Sequence, residues 1–271
     1  MLSSLRTEVR NQLLEEVKTE GEIRLSSSER RDYEAQYLAS YDMPRNVWKV
    51  LLRHYQARYY RVLEFGGSRS AVDNREYRFT RDLAYALVEA GRVDIVSGGG
   101  PGLMRAALEG VHLFRKKATL EGRIIKARAL GITIITLPNG EVHCEFLDKE
   151  SPHREFTTRL QEFMDISHAA YVAPGGIGTN LELALLLQLK QAGHLEKEYP
   201  VMVHPAWEDI IKIQKKTWYT RPTLEGTTPF IDKGDLGCLI LTDSIPQIVD
   251  IVLPNRARWR ESINRHVIIV P

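Results

Sequence analysis

Pro174-Gly175-Gly176-Ile177-Gly178-Thr179-Asn180-Leu181-Glu182 is the stretch that decides the fold. Apolar residues 170–173 lead into it as a short buried strand, and residues 183–189 leave it with helical periodicity, so its glycines occupy a strand-to-helix turn. A turn of this kind is suited to anions. The backbone N–H groups at a helix start are unpaired and carry the positive end of the dipole, and glycine lets an anion approach the chain closely. The competing reading is a tight connection in which glycine merely permits unusual dihedrals. Three glycines in four residues, closed by Thr179, favour the phosphate. Glu182 falls one turn inside the same helix, and a phosphate cradle beside a carboxylate suggests chemistry on a phosphorylated sugar.

Outward from this turn, short apolar runs alternate with helical patterns. Strands are expected over 60–65, 93–96, 132–137, 170–173, 200–203 and 239–242, with helices near 78–91, 101–117, 155–167, 179–193, 206–218 and 244–252. The alternation predicts an α/β fold, a Rossmann-like doubly wound parallel sheet with helices on both faces and right-handed crossovers. Ligands of such sheets collect at the carboxyl ends of the strands. Three further segments fall there: Gly66-Gly67-Ser68-Arg69, the run Ser97-Gly98-Gly99-Gly100-Pro101-Gly102, and a polar loop over 139–152 that leads into the helix carrying Arg159. Folding is expected to gather these loops around one crevice with the Pro174 turn. Leu2, Leu5, Val9, Leu13, Leu14 and Val17, then Val47, Val50, Leu51, His54 and Tyr55, recur at helical spacing. Residues 1–57 therefore read as an N-terminal helical extension and 58–271 as the nucleotide-binding domain.

Bulk composition narrows the partners. Lys and Arg total 37 against 35 Asp and Glu among 271 residues, a formal charge of +2, and no basic run marks a face for a nucleic-acid polymer. Cys144 and Cys238 stand far apart without metal-ligand spacing, which fits a reducing compartment, the cytoplasm, better than a disulfide framework. Neither an apolar signal core nor a membrane span is evident, and no metal or cofactor is expected.

Several signals have plainer readings. The run 97–102 lacks the third glycine of a dinucleotide fingerprint, because Leu103 takes its place. It either contacts ligand or only turns the chain, and the same holds for Gly67, Ser68 and Arg69. By spacing alone Thr179 to Glu182 reads as a capping box in preference to a catalytic group. Arg159 borders the apolar stripe of Phe156, Leu160, Phe163, Met164 and Ser167, where a long side chain can simply snorkel. His153 draws notice only because its loop faces the expected crevice.

These residues resemble the family of "Lonely guy" cytokinin-activating phosphoribohydrolases and bacterial nucleotide 5′-monophosphate nucleosidases. The family's Pro-Gly-Gly-x-Gly-Thr-x-x-Glu turn is matched by residues 174–182, and its upstream Gly-Gly-x-x-Gly-Leu-Met turn by residues 99–104 read with one fewer intervening residue. The resemblance spans about residues 60–252 and implies catalytic roles for Arg159, 23 positions before the glutamate, and for Glu182. It implies hydrolysis of the N-glycosidic bond of an AMP-like or other nucleoside 5′-monophosphate, with Gly67, Ser68, Gly98, Gly99, Gly100, Pro174, Gly175, Gly176, Gly178 and Thr179 holding phosphate and ribose. It also implies a homodimer or higher homo-oligomer. Leu181 and Leu160 stand where many members carry an acid and a lysine, which argues against cytokinin-type specificity. Base preference is expected to lie in the loops over 139–154 and 220–235. The label "lysine decarboxylase" often given to this family is discounted, since no lysine sits in a setting for a Schiff base. The alternative is a non-catalytic nucleotide-binding or molybdenum-cofactor carrier protein of the same fold; a nucleotide-sensing regulator is a third possibility.

Overall fold

Arg61–Phe65 is buried along its whole length, on both faces, as a central strand of a parallel sheet must be. The computed structural model of the chain describes residues 59–135 and 144–265, with side chains through residue 261; the extension expected over 1–57 lies outside them. Residues Tyr59–Arg258 cluster as one compact unit. The strands are β1 (Arg61–Phe65), β2 (Asp94–Ser97), β3 (Ala129–Ile134), β4 (Lys149–His153), β5 (Ala169–Val172), β6 (Val201–Val203) and β7 (Leu239–Leu241). All neighbours pair in parallel in the order β4-β3-β2-β1-β5-β6-β7. The winding reverses between β1 and β5, and it is at the carboxyl side of such a switch point that loops diverge and leave a crevice.

The helices are α1 (Arg75–Gly91), α2 (Leu103–Leu120), α3 (Phe156–Ile166), α4 (Ile177–Gln191), α5 (Glu208–Lys215), α6 (Arg221–Leu224) and α7 (Ile245–Arg265). Leu63, Phe65, Ile132, Val172 and Val203 face Phe163 and Ile166 of α3 and Leu183 and Leu186 of α4 in one buried cluster. The opposite face is covered by α1: Phe79 lies 5.8 Å from the ring of Tyr171. The α7 residue Leu253 packs beside Gly91 at the end of α1. Asp94, fully buried at the start of β2, accepts from the Arg128 side chain at 2.6 and 3.0 Å and lies 3.7 Å from Arg61, which stitches the amino ends of the strands.

Several elements differ from the sequence reading, three of them in the sheet and the last helix. The loop expected over 139–152 contains β4, a polar strand with Pro152 in it; as an edge strand it half-buries one side only and can spare a proline N–H, so it carries no apolar signature. β3 starts at Ala129 rather than 132, because its small residues are needed: a Cβ on Gly131 would run into Leu147. The last helix continues through Pro254 instead of ending near 252. An interior proline costs about 3 kcal/mol. Asn255 helps offset it by accepting from Tyr60 Oη at 2.5 Å and donating to the Glu198 carbonyl at 2.6 Å.

A charged-type residue and its strand neighbour sit inside the sheet without compensation among the described residues. Glu64 on β1 is 1% exposed, and neither carboxyl oxygen has a hydrogen-bond partner among the described residues. Its register partner Tyr171 has an equally unpartnered hydroxyl. Burial pushes the Glu64 carboxyl well above its ordinary value of 4.5, so the folded protein holds it neutral. The unfolded chain ionises it from about pH 4.5 upward, and folding must then take up a proton, so stability falls as pH rises. Glu64→Gln is neutral in both states. Its gain in unfolding free energy over the wild type should grow by up to about 1.4 kcal/mol per pH unit above that point, measured by denaturant titration between pH 5 and 8.

Candidate functional site

At the switch point the loops after β1, β2 and β5 are joined backbone to backbone. The Gly67 N–H donates to the Pro174 carbonyl at 3.0 Å, and the Leu103 N–H donates to the Gly67 carbonyl at 2.9 Å. The contacts leave no room for side chains. A Cβ on Gly66 would stand 2.7 Å from that of Leu103, and one on Gly102, at a φ of +66°, would stand 2.5 Å from the Gly67 carbonyl oxygen. The three glycine segments singled out in the sequence are thus one surface.

α4 begins at Ile177, with Gly176 preceding it as cap and the Asn180 N–H donating to the Gly176 carbonyl at 2.9 Å. Thr179 is therefore the third helical residue and Glu182 the sixth. This removes the capping box favoured by spacing, since a box requires the threonine at the cap and the glutamate in the first turn. None of Gly175, Gly176 and Gly178 adopts a positive φ, so a left-handed turn does not explain them. Gly175 is needed because its Cβ would collide with Thr179. Gly176 and Gly178 face open space: a Cβ there would meet nothing within 4 Å. Pro174 is half-buried and Thr179 is buried.

Arg159, on α3, does not snorkel. It is 7% exposed; its Nε donates to the Ile132 carbonyl at 2.7 Å and its Nη2 to the Gly98 carbonyl at 3.4 Å. The guanidinium lies 5.0 Å from the centre of the Phe163 ring. Its remaining terminal nitrogen, Nη1, stands 4.0 Å from Glu182 Oε1. The fold has brought together a buried cation and a mostly buried carboxylate from residues 23 apart. Gly98 makes the room, because a Cβ there would land on Arg159 Nη2 and Met104 Sδ.

Gly98, Gly99 and Gly100 are themselves buried. The Gly99 N–H is committed to Ser97 Oγ at 3.3 Å, and Ser97 donates onward to the Met104 carbonyl at 3.2 Å. Ser68 and Arg69 are exposed beside this surface. His153 ends β4, and both ring nitrogens engage α3, with Glu162 at 2.5 Å and Thr158 at 2.9 Å, so it braces the helix that carries Arg159. The anchors that sequence reasoning missed are the carbonyls of Ile132 and Gly98. Backbone oxygens leave no trace in residue type, though a glycine beside a candidate arginine is a usable hint. Among the described residues no group of three or more His, Cys, Asp or Glu is placed to hold a metal ion, and no helix is long and apolar enough to cross a membrane.

Residues 104–226 match the profile of the family described as "possible lysine decarboxylase". The pyrimidine/purine nucleotide 5′-monophosphate nucleosidase of Escherichia coli (strain K12) is 27% identical over 126 residues, which is 46% of this chain. The chain spans about a quarter of that relative's length, since the match covers 26% of it. Among solved structures, the molybdenum cofactor binding protein of Rippkaea orientalis aligns with a TM-score of 0.48 at 15% identity, over 72% of this chain and 96% of that one. The molybdenum cofactor carrier protein of Chlamydomonas reinhardtii aligns with a TM-score of 0.48 at 15% identity, over 74% and 99%.

The two kinds of glycine should separate in thermal denaturation. Gly98→Ala forces a methyl group into the guanidinium and should cost about 1–3 kcal/mol. Gly178→Ala enters open space inside a helix and should be neutral or stabilising by up to about 1 kcal/mol.

Proposed function

We propose that the protein hydrolyses the N-glycosidic bond of a nucleoside 5′-monophosphate, releasing free base and ribose 5-phosphate. The observation that carries this reading is the buried Arg159 standing 4.0 Å from Glu182, one and a half turns inside a helix whose start is open and lined by glycine. The 5′-phosphate would rest on the N–H groups of Gly175, Gly176, Gly178 and Thr179, with Gly67, Ser68 and the turn at 98–100 beside it. Gly176 and Gly178 support this, because neither a left-handed backbone nor crowding requires them. The nucleosidase relative supports the substrate class.

The chemistry follows from charge. Departure of the base builds positive charge on the ribose ring, and a carboxylate held beside it stabilises that charge and orients the attacking water. Glu182 takes that role. Arg159 is a positioning group: with Nε and Nη2 committed to carbonyls, it presents a fixed cationic face to the Glu182 carboxylate and keeps it aimed. Anchoring the phosphate places the anomeric carbon, a gain of orientation that needs no further group.

A homodimer or higher homo-oligomer belongs to the same proposal. Ile177 is 91% and Leu181 48% exposed at the open end of α4, apolar area suited to a second copy. A cytoplasmic setting fits the free thiols of Cys144 and Cys238, and residues 1–57 enter the proposal as an N-terminal helical extension.

The deciding experiment incubates the full chain with a panel of nucleoside 5′-monophosphates and the matching nucleosides, quantifying free base and ribose 5-phosphate. Release from the phosphorylated set alone is the expected result. Arg159→Ala and Glu182→Ala should each lower it roughly 100-fold or more while leaving a folded protein. Tight binding without any release of base would replace this reading with that of a carrier.

A further inference from the structure

Residues 144–148 cross from the carboxyl end of the sheet to the start of β4 as a strap laid over α2. Its lower end is pinned by Asp148, which accepts from Arg115 at 2.6 Å and from the Ala129 N–H at 2.7 Å. Leu147 fills the space that Gly99 and Gly131 leave by having no side chains. Arg105, in the first turn of α2, clamps the middle. Its Nη2 donates to Glu145 Oε1 at 2.5 Å, and its guanidinium lies 4.8 Å from the centre of the Phe146 ring, which meets His112 at 5.3 Å. Tyr77 and Glu109 hold the other side of the same guanidinium. This partnership keeps the Glu145 carboxyl below the usual carboxylate range.

The upper end of the strap touches the site. The Cys144 N–H donates to the Gly99 carbonyl at 3.0 Å. In a trans peptide the carbonyl and the following N–H point in opposite directions, so this bond turns the Gly100 N–H away from the strap. The preceding peptide is fixed in the same way, its carbonyl on Arg159 and its N–H on Ser97. Gly100 is buried, yet its N–H makes no hydrogen bond among the described residues. Buried backbone donors are seldom left unpaired.

We infer that the strap is a positioning element of the anion site: through Cys144 it sets the Gly99–Gly100 peptide, and so aims the Gly100 N–H as a donor to the phosphate of a phosphorylated sugar. Arg105, Glu145 and Phe146 act through that peptide and do not touch the ligand. The inference rests on the proposed phosphate anchor for the identity of the anion, but the mechanical coupling can be read without it.

The test compares the wild type with Glu145→Ala/Phe146→Ala and with the conservative Glu145→Gln, using the full chain. Amide hydrogen exchange reports the coupling, and calorimetry with ribose 5-phosphate reports the anion site. Loosening the strap should speed exchange at residues 98–102 about tenfold or more, leaving β5 and β6 protected, and should weaken ribose 5-phosphate by about tenfold, the worth of one hydrogen bond to a charged group. Glu145→Gln, which keeps one acceptor, should fall between. Unchanged exchange at 98–102 in the double variant overturns the inference, as does faster exchange there with unaltered ribose 5-phosphate affinity. Failure of the wild type to bind ribose 5-phosphate overturns the phosphate anchor instead, and the exchange rates then still decide whether the strap holds the turn.

Discussion

A guanidinium taken out of water costs several kcal/mol unless its donors are satisfied, and the arrangement of the candidate site follows from how that cost is met for Arg159. One carbonyl comes from within β3, another from the turn after β2, an aromatic face from its own helix, and a carboxylate from α4. Each partner belongs to a different element, so the charge can be buried only when those elements are in place. The same residue ties together the scaffold and the group it presents.

Two constraints on the glycines follow. Gly66, Gly98, Gly102 and Gly175 are small because something else occupies the space: a leucine, a guanidinium, a carbonyl, a threonine. Gly176 and Gly178 have no such neighbour and no positive φ. Their backbones lie bare at the positive end of a helix, which is the physical condition for close approach of an anion. The turn after β2 is different again, with two of its peptides locked by an arginine, a serine and the strap at Cys144.

The parallel sheet makes this convergence possible. Its strands all deliver their loops to one edge, and the reversal of winding between β1 and β5 leaves the loops after those strands facing each other, close enough for Gly67 to bond Pro174. The amino edge is closed by Asp94 with Arg61 and Arg128. Polar chemistry thus divides into a sealed end and an open one.

Strand-to-helix alternation and the glycine turns were legible in the chain, because apolar periodicity and glycine density are local properties; the pair Arg159 and Glu182 was singled out only by the family resemblance. β4 was not, since an exposed edge strand has no apolar signature, and neither was the passage of α7 through Pro254, where the compensating bonds come from residues far away in sequence. By spacing, Glu182 looked like a cap and Arg159 like a snorkelling side chain. Residue order alone determined that a parallel sheet would form and where its anion-friendly turn would lie. Only the tertiary structure decided that the helix starts two residues before Thr179, and that two distant backbone carbonyls and the gap at Gly98 draw Arg159 inward, because burial of a charge is settled by partners that no local pattern encodes.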